Sequence, residues 1–217
     1  MKIVNLGSAN SVLNRFVAQM RDISVQKDSM RFRANMERSG EIFAYEISKT
    51  LSYEEKQVET PLGIATTRIP SDKMVLGMIF RAGLPFHRGF LNFFDDAENA
   101  FIAAYRKYGK DNECKIHLEY TSCPSLEDKT LILADPMIAT GASMYLAYKS
   151  LMEKGEPRHI HFASIVASAE AVEYLSKMLP HKNVTLWVAA IDEELTNKSY
   201  IVPGLGDAGD LAFGKKI

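Results

Sequence analysis

The amino-acid sequence predicts an α/β protein with a doubly wound, mainly parallel sheet. The first observation is a set of short apolar runs of strand length, several of them almost continuous, as is typical of strands that are buried on both faces. The runs are residues 73–80, 115–120, 130–135, 159–167 and 184–191. The second observation is that helical stretches lie between several of these runs, and this alternation favours helices packed against both faces of the sheet.

The helical stretches differ in how clearly they end. Residues 143–155 and 169–180 have helical patterns, and Gly155 and Pro180 are residues that stop a helix. The region from 90 to 112 is ambiguous, because part of residues 95–109 favours a helix that leads into a strand ending near Arg106.

The first fifty residues are predicted to be helical. Apolar residues recur at helical spacing between Met30 and Ile47, and Asp28 is the expected N-cap of that helix. Pro61, Leu62 and Gly63 then separate two short segments, which indicates a β-hairpin within residues 52–70.

Composition indicates an ordinary globular protein. The chain has 217 residues, which suits one domain of generous size or a domain with an appended hood, and 47% of the residues are apolar. The net charge of −1 provides no global field that would attract nucleic acid or an anionic membrane. The sequence shows neither a signal peptide nor an apolar run near the ~20 residues that span a bilayer. Cys114 and Cys123 are expected to be reduced, so the sequence predicts a cytoplasmic, soluble protein.

The loop after the third apolar run carries the clearest chemical signal. A strand ends at Asp135, and small residues from Ala139 to Ser143 lead into a helix. Backbone N–H groups at a helix start form an anion site, and Gly141 allows a positive φ and close backbone approach. Thr140 and Ser143 add hydroxyl donors, whereas Asp135 suits sugar hydroxyls or a magnesium shell. The segment therefore fits a ribose 5-phosphate, with an ordinary βα turn as the alternative.

Two further segments are candidates for ligand contact. Arg81 and Arg106 lie near strand ends, where they could clamp a polyanion, although solvated surface arginines are the alternative. Gly204, Gly206 and Gly209 have the spacing of a dinucleotide-binding loop, but only eight residues follow, which leaves no useful helix. A glycine-rich loop whose backbone contacts a flat ligand is the better interpretation.

Together these segments resemble the uracil phosphoribosyltransferase family. Residues 135–143, Asp-Pro-Met-Ile-Ala-Thr-Gly-Ala-Ser, resemble its phosphoribosyl-diphosphate loop, and residues 81–84 resemble its pyrophosphate loop. Residues 200–216 are nearly the whole C-terminal uracil-binding signature. Residues 31–46 also fit the family, so the similarity spans almost the entire chain.

The resemblance implies a fold, a reaction and an assembly. The fold is a five-stranded phosphoribosyltransferase sheet with a small hood and a β-arm, and residues 1–217 form a single domain whose N-terminal helices and C-terminal loop make the hood. The reaction transfers the 5-phosphoribosyl group from phosphoribosyl diphosphate to N1 of uracil, giving UMP and pyrophosphate in pyrimidine salvage. Mg²⁺ is the implied cofactor, held mainly through the diphosphate, and a homodimer or higher homo-oligomer is the implied assembly.

The resemblance also implies catalytic residues. Asp135 would hold the ribose hydroxyls, Arg81 and Arg106 would hold the diphosphate, and Asp207 would contact the diphosphate or its Mg²⁺. Asp207 is also the candidate general base. The rest of the phosphoribosyl diphosphate site would consist of Pro136, Met137, Ile138, Ala139, Thr140, Gly141, Ala142 and Ser143.

Uracil is expected to lie against the C-terminal loop. The implied contacts are Ile201, Gly206, Asp207 and Ala208. A rigid loop that offers N–H and C=O groups in a fixed order can reject cytosine, because cytosine would leave buried polar groups unpaired.

Three features depart from the family pattern. Arg88 replaces an acid near the diphosphate loop or a subunit interface, and Ala142 replaces the second glycine of the phosphate loop. The alanine costs little if its φ is negative. After Arg106 the sequence differs from the family, so the arm over the active site is expected to close differently.

Other hypotheses remain open from the sequence. A non-catalytic nucleotide-sensing or RNA-binding regulator on the same fold is the main alternative, and a basic stripe with interleaved aromatic residues would support it. The same chemistry with another base is disfavoured by the intact C-terminal signature. His159 and His161 are interpreted as structural, Trp187 as core, and Asp192 as part of a solvated acidic loop unless it braces the uracil segment.

Overall fold

The computed structural model describes residues 1–108, 114–179 and 183–216, with side chains described outside residues 105–117. In these ranges the strands are β1 (Lys2–Asn5), β2 (Tyr53–Thr60), β3 (Gly63–Pro70), β4 (Met74–Phe80), β5 (Glu98–Tyr108), β6 (Cys114–Ser122), β7 (Thr130–Ala134), β8 (Met137–Ile138), β9 (His159–Ser168), β10 (Val184–Asp192), β11 (Glu194–Leu195) and β12 (Ile201–Val202). The α-helices are α1 (Val12–Arg21), α2 (Ser29–Ser48), α3 (Gly83–Leu91), α4 (Ala142–Met152), α5 (Ala169–Met178) and α6 (Ala208–Phe213).

The central sheet confirms the predicted fold class. It has eight strands, seven of them in the order β1-β10-β9-β7-β4-β5-β6, with β8 paired to β9. All neighbours from β1 to β5 are parallel, and only the β5–β6 pair is antiparallel. The five-stranded parallel core therefore corresponds to β10, β9, β7, β4 and β5, extended by β1 at one edge and β6 at the other.

Two sequence-based expectations about secondary structure are wrong. The first fifty residues are not wholly helical, because Lys2–Asn5 pair in parallel with β10. Residues 95–108, the described part of the ambiguous segment, contain no helix: Glu98–Tyr108 is extended, and the helix lies earlier, at Gly83–Leu91. Ala100 and Ile102 are completely buried there. Burial between two strands thus outweighs the helical tendency of this segment.

Helices cover both faces of the sheet, as the alternating elements predicted. In β7, Ile132 and Ala134 belong to the apolar cluster with α1, α2 and α3, whereas Leu131 and Leu133 belong to the cluster with α4 and α5. This division follows from the two-residue period of a strand. Asp28 caps α2 as predicted, accepting a hydrogen bond from the Arg31 N–H at 3.0 Å.

The predicted hairpin is present and extends away from the core. β2 and β3 pair in an antiparallel register that closes at Thr60 and Gly63, and nearly every residue of both strands is exposed. None of the helices in the described part of the chain has the length and apolar character needed to cross a membrane.

The carboxyl ends of the parallel strands place the candidate site. Arg81 directly follows β4, Asp135 directly follows β7, and Asp192 is the last residue of β10. In open α/β sheets ligands bind at this edge, beyond the ends of the strands.

Candidate active site

The loop between β7 and α4 has the geometry of an anion site. Gly141 precedes α4 with φ +79°, and no side chain caps the helix there. Apart from the Ala142 N–H, which lies 3.4 Å from Thr140 Oγ1, the N–H groups of the first helical turn are left for a ligand, with the positive end of the helix dipole behind them. The loop encloses a small pocket of about 50 Å³, lined by Asp135, Met137, Ile138, Ala139, Thr140, Gly141, Ser143 and Met144.

Gly141 is required both by backbone conformation and by space. Its φ lies in the left-handed region, and a Cβ would stand 2.9 Å from Tyr174 Cδ1 and 3.2 Å from Leu175 Cγ. The backbone can therefore turn into α4 while α5 packs directly against it.

Most residues predicted for this loop line the pocket, but two do not. Pro136 uses its carbonyl oxygen to accept hydrogen bonds from the N–H groups of Ile165 and Val166, so it fixes the loop to β9. Ala142 is the first residue of α4, and its N–H lies 3.4 Å from Thr140 Oγ1. Because Ala142 is helical, the departure from glycine needs no positive φ. Met144 is a lining residue that sequence reasoning missed.

Asp135 is a poorly solvated carboxyl group that lines this pocket. Its Oδ1 accepts a hydrogen bond from the Met137 N–H at 3.2 Å. Burial raises the pKa of Asp135 to about 7, and the Met137 hydrogen bond opposes this rise only in part. A carboxylate in this position gains from hydroxyl donors supplied by a ligand, as a ribose diol would do.

Arg81 follows β4 and contacts the C-terminal helix. Its Nη2 lies 2.6 Å from Asp210 Oδ1, and its Nη1 donates to the Gly214 carbonyl oxygen at 3.1 Å. The neighbouring Gly83 lies against the end of β7, because a Cβ at Gly83 would stand 3.3 Å from the Ala134 oxygen. Arg81 therefore contacts the predicted uracil segment and lies two residues from the contact between Gly83 and the end of β7. Arg106 lies in β5, but its side chain is outside the described residues.

Asp207 begins the short C-terminal helix α6. Its Oδ1 accepts a hydrogen bond from the Asp210 N–H at 3.0 Å, and Lys216 Nζ lies 3.4 Å from its Oδ2. A Cβ at Gly209 would stand 3.3 Å from Asp207 Oδ1 and 3.2 Å from Arg81 Nη2. The glycine thus lets the acidic end of α6 and the arginine approach each other.

The predicted uracil segment is a folded loop with a buried inner face. Ile201 and Ala208 are each 4% exposed, whereas Gly204 and Gly206 have φ values of +55° and +89°. Ile201 also pairs with Leu195 through the small β11–β12 ladder. The backbone conformation here depends on glycine, as the interpretation of a backbone-contacting loop requires.

Side chains of the N-terminal helices and of the turn between them hold this loop, and sequence reasoning missed them. Gln26 Nε2 donates to the carbonyl oxygen of Leu205 at 3.2 Å, and Arg33 Nη1 donates to that of Ala212 at 2.6 Å. Arg21 donates to the carbonyl oxygen of Gly204 at 3.0 Å. Arg33 lay within a segment that resembled the family, whereas nothing in the sequence singled out Arg21 or Gln26.

Asp192 braces the loop and is not solvated. It is 7% exposed, it forms two hydrogen bonds with Arg21 at 2.8 Å each, and its Oδ2 accepts from the Gly204 N–H at 2.9 Å. The bracing role that the sequence left open is therefore the correct interpretation, and solvation is the wrong one.

Arg88 faces α2. Its Nε lies 3.2 Å from Glu37 Oε1, and its side chain is 71% exposed. The charge that departs from the family pattern is therefore balanced locally by an acid on the neighbouring helix. The altered sequence after Arg106 falls largely outside the described residues.

The two strand histidines contact core residues. Trp187 Nε1 donates to His161 Nδ1 at 3.0 Å, and His159 Nε2 lies 3.0 Å from Thr185 Oγ1. Burial, followed by the effect of His159, lowers the pKa of His161 to about 3. Trp187 is 4% exposed, so it belongs to the core as predicted.

Solved structures define the fold class of the chain. The chain superimposes on the AQ2163 protein of Aquifex aeolicus with a TM-score of 0.86 and 28% identity, over 98% of each chain. A hypoxanthine phosphoribosyltransferase from Staphylococcus aureus has a TM-score of 0.51 and 10% identity, over 90% of this chain and 92% of that one. The second likeness concerns the fold alone, which is the phosphoribosyltransferase fold.

Sequence comparison identifies the family within that class. The uracil phosphoribosyltransferase family model matches residues 8–215. A uracil phosphoribosyltransferase of Porphyromonas gingivalis is 56% identical over 217 residues, covering 100% of both chains. A uracil phosphoribosyltransferase of Pyrococcus furiosus is 36% identical over 193 residues, covering 88% of this chain and 82% of that one. The chain belongs to the uracil phosphoribosyltransferase family.

Proposed function

We propose that this protein transfers the 5-phosphoribosyl group from phosphoribosyl diphosphate to N1 of uracil, forming UMP and pyrophosphate in pyrimidine salvage. The observation that carries the proposal is the contact between distant segments at one edge of the sheet. Arg81, from the predicted diphosphate loop, pairs with Asp210 of the predicted uracil signature, and Gly83 adjoins the end of β7, directly before Asp135. A reaction between a sugar diphosphate and a base requires these loops to be neighbours.

The proposed roles of the phosphoribosyl diphosphate site follow from its polar groups. The N–H groups of Ala139 to Ser143 bind the 5-phosphate at the start of α4. Asp135 accepts hydrogen bonds from the ribose hydroxyls, which favours its ionised form. Arg81 and Arg106 bind the diphosphate and stabilise the negative charge that it gains as the bond to ribose breaks.

Uracil would lie against Ile201, Gly206, Asp207 and Ala208. Backbone N–H and C=O groups in a fixed order match the alternating carbonyl and N3–H groups of uracil. Cytosine presents the reverse pattern and would leave buried groups without partners.

Mg²⁺ fits the chemistry of this site. Within residues 1–104, 118–179 and 183–216, whose side chains the structure describes, no three His, Cys, Asp or Glu side chains stand together as a ready-made metal site. An ion here would therefore take most of its oxygen ligands from the diphosphate and water, with Asp207 as the proposed protein contact. When bound, Mg²⁺ would neutralise charge on the departing pyrophosphate.

We propose that residues 1–217 form one domain, with the N-terminal helices and the C-terminal loop as its hood. We further propose that the protein works as a homodimer or higher homo-oligomer in the cytoplasm.

The test is a comparison of five bases under identical conditions. The purified protein is mixed with phosphoribosyl diphosphate, Mg²⁺ and uracil, cytosine, hypoxanthine, adenine or orotate, and nucleotide and pyrophosphate are measured. UMP formation from uracil alone is expected. Asp135→Asn should lower turnover, whereas Asp128→Asn, a change in an exposed carboxylate, should leave it unchanged. Absence of product with every base would contradict the proposed activity.

A further inference from the structure

A largely buried ion pair holds Gly204 of the C-terminal loop. Asp192 closes β10, Arg21 closes α1, and the two side chains form paired hydrogen bonds of 2.8 Å. The same pair also binds both polar groups of Gly204: Asp192 accepts from its N–H at 2.9 Å, and Arg21 donates to its carbonyl oxygen at 3.0 Å. The peptide groups on the two sides of the Gly204 Cα are therefore fixed by charged partners, which form the stronger class of hydrogen bond.

The conformation at Gly204 is restricted by its surroundings as well. Its φ is +55°, and a Cβ would stand 2.2 Å from the Ile201 carbonyl oxygen. Ile201 and Gly204 thus lie in direct contact across the turn. A rotation of the Gly204 peptides would move the backbone on both sides, including the start of the segment that runs to Gly206.

We infer that Arg21 and Asp192 are positioning residues for recognition of the base, acting through Gly204. The inference rests on the proposed function, which assigns uracil to Ile201 and the segment from Gly206 to Ala208. A loop that distinguishes bases by its backbone has no long side chains with which to compensate for a displacement. Its N–H and C=O groups must be held to within about 0.5 Å, and the ion pair supplies that constraint.

Other contacts keep the loop attached when the pair is weakened. Gln26 binds the Leu205 carbonyl oxygen, and Leu205, with 3% exposure, packs in the core. Arg33 separately binds α6 at Ala212. Weakening the pair should therefore leave a folded protein whose loop is less precisely placed.

The test uses two conservative variants and one matched control. Arg21→Lys keeps the charge but loses the planar fork, whereas Asp192→Asn keeps the shape but loses the charge. Arg158→Lys is the control, because Arg158 and Asp128 form a pair that is exposed on both sides. For each protein we would measure kcat, the KM of both substrates, the inhibition constant of cytosine and the melting temperature.

A positioning role predicts a specific pattern. The KM of uracil should rise roughly tenfold in Arg21→Lys and Asp192→Asn, the size expected for loss of a charge-assisted hydrogen bond. The KM of phosphoribosyl diphosphate should stay within about twofold, and cytosine should inhibit relatively better than in the wild type. The free-energy change that corresponds to the KM of uracil should be smaller in the double variant than the sum of the changes in the two single variants, because both side chains act on Gly204.

Different results separate the failure of this inference from the failure of the proposed activity. An unchanged KM of uracil in either variant, or equal changes in both KM values that follow the melting temperature, would overturn the positioning role. A wild type that forms no UMP would contradict the activity instead. In that case calorimetric measurement of UMP binding tests the positioning role directly. Weaker UMP binding by both variants than by the wild type would support the role. UMP binding equal to that of the wild type, or no UMP binding by any of the three proteins, would overturn it.

Discussion

Arg81 and Asp210 form an ion pair of 2.6 Å between segments that lie 129 residues apart in the chain. The hydrogen bond from Arg81 is the main cause of a lowered pKa for Asp210, so this carboxylate stays ionised at neutral pH. The pair joins the predicted diphosphate loop to the helix that begins at Asp207. If Arg81 binds the diphosphate as we propose, the diphosphate must share the guanidinium with Asp210 or replace it.

Replacing Asp210 with Asn should strengthen the binding of phosphoribosyl diphosphate. The Asn oxygen can still accept from Arg81, but the negative charge that repels the diphosphate is lost. We expect the KM of phosphoribosyl diphosphate to fall about twofold to fivefold at low ionic strength, in keeping with a screened interaction near the surface. Steady-state kinetics at low and high salt would measure the effect, which should shrink as salt is added.

Arg81→Lys should have the opposite effect on the binding of phosphoribosyl diphosphate. It loses the fork that can bind two oxygens at once, so the KM of phosphoribosyl diphosphate should rise about tenfold or more. If Asp210→Asn also raised the KM strongly, Asp210 would be needed to orient Arg81 and would not compete with the diphosphate.

Gly141→Ala should damage both the stability of the protein and its phosphate loop. The substitution combines a positive φ with a Cβ only 2.9 Å from Tyr174 Cδ1. We expect a loss of about 1–3 kcal/mol in the free energy of unfolding. The KM of phosphoribosyl diphosphate should rise as well, and denaturant unfolding with steady-state kinetics would measure both effects.

Ala142→Gly is the control for this loop, because it restores the glycine that the family usually has. Ala142 is already helical, so the change should cost less than about 1 kcal/mol of stability and leave the KM within about twofold. An equal effect of both substitutions would show that the close approach at Gly141 is not the decisive feature.

Asp135→Asn should change how the stability of the ligand-free protein depends on pH. Burial raises the pKa of Asp135 from 3.8 to about 7, so the folded state binds more protons than the unfolded state between these values. The contribution of protonated Asp135 to the free energy of unfolding is therefore complete below pH 3.8 and is lost as the pH rises to 7. The variant should therefore match the wild type most closely near pH 4 and exceed it by about 1–3 kcal/mol near pH 8.

Urea unfolding of both proteins from pH 4 to pH 8 would measure this difference. Asp128→Asn serves as the control, since that carboxylate is 77% exposed and its replacement should give no comparable trend. If the difference in the free energy of unfolding between Asp135→Asn and the wild type stays constant with pH, the pKa of Asp135 is not raised in the folded protein.

The sequence was a good guide to local features. Nearly continuous apolar runs indicated β4, β7, β9 and β10, because strands buried on both faces carry few polar residues. The small residues before α4 marked an anion loop for a comparable reason: a backbone that approaches a ligand has no room for side chains. These features are encoded within about ten residues, so they can be interpreted without the fold.

Features that depend on tertiary contact were not predictable. β5 was partly interpreted as helix, since only its position between β4 and β6 makes it extended. The contact of Arg21 with Asp192 joins residues 171 positions apart, and that of Arg81 with Asp210 is similarly distant. No local pattern distinguishes such side chains from surface arginines. The fold decides which charges meet, so the support of the candidate site became visible only in three dimensions.

Ala208→Val tests the proposed uracil contact, and Ala212→Val is its matched control. Both alanines are buried residues of α6 and pack in the same apolar cluster, with 4% and 0% exposure. Each valine adds two methyl groups to a filled space, so both variants should lose about 1–3 kcal/mol of stability. Only residue 208 lies in the segment assigned to the base, at the start of the helix and beside Asp207.

The kinetic results should therefore differ although the losses of stability are similar. We expect Ala208→Val to raise the KM of uracil at least about tenfold, because the added methyl groups occupy space that the flat base needs. Ala212→Val should leave the KM of uracil within about threefold of the wild-type value. Neither variant should change the KM of phosphoribosyl diphosphate by more than about threefold. Unchanged uracil kinetics in Ala208→Val would remove this residue from the base site. An equal rise in both variants would instead mean that general distortion of α6 is the cause, because packing strain spreads along a short helix whereas direct contact with the base does not.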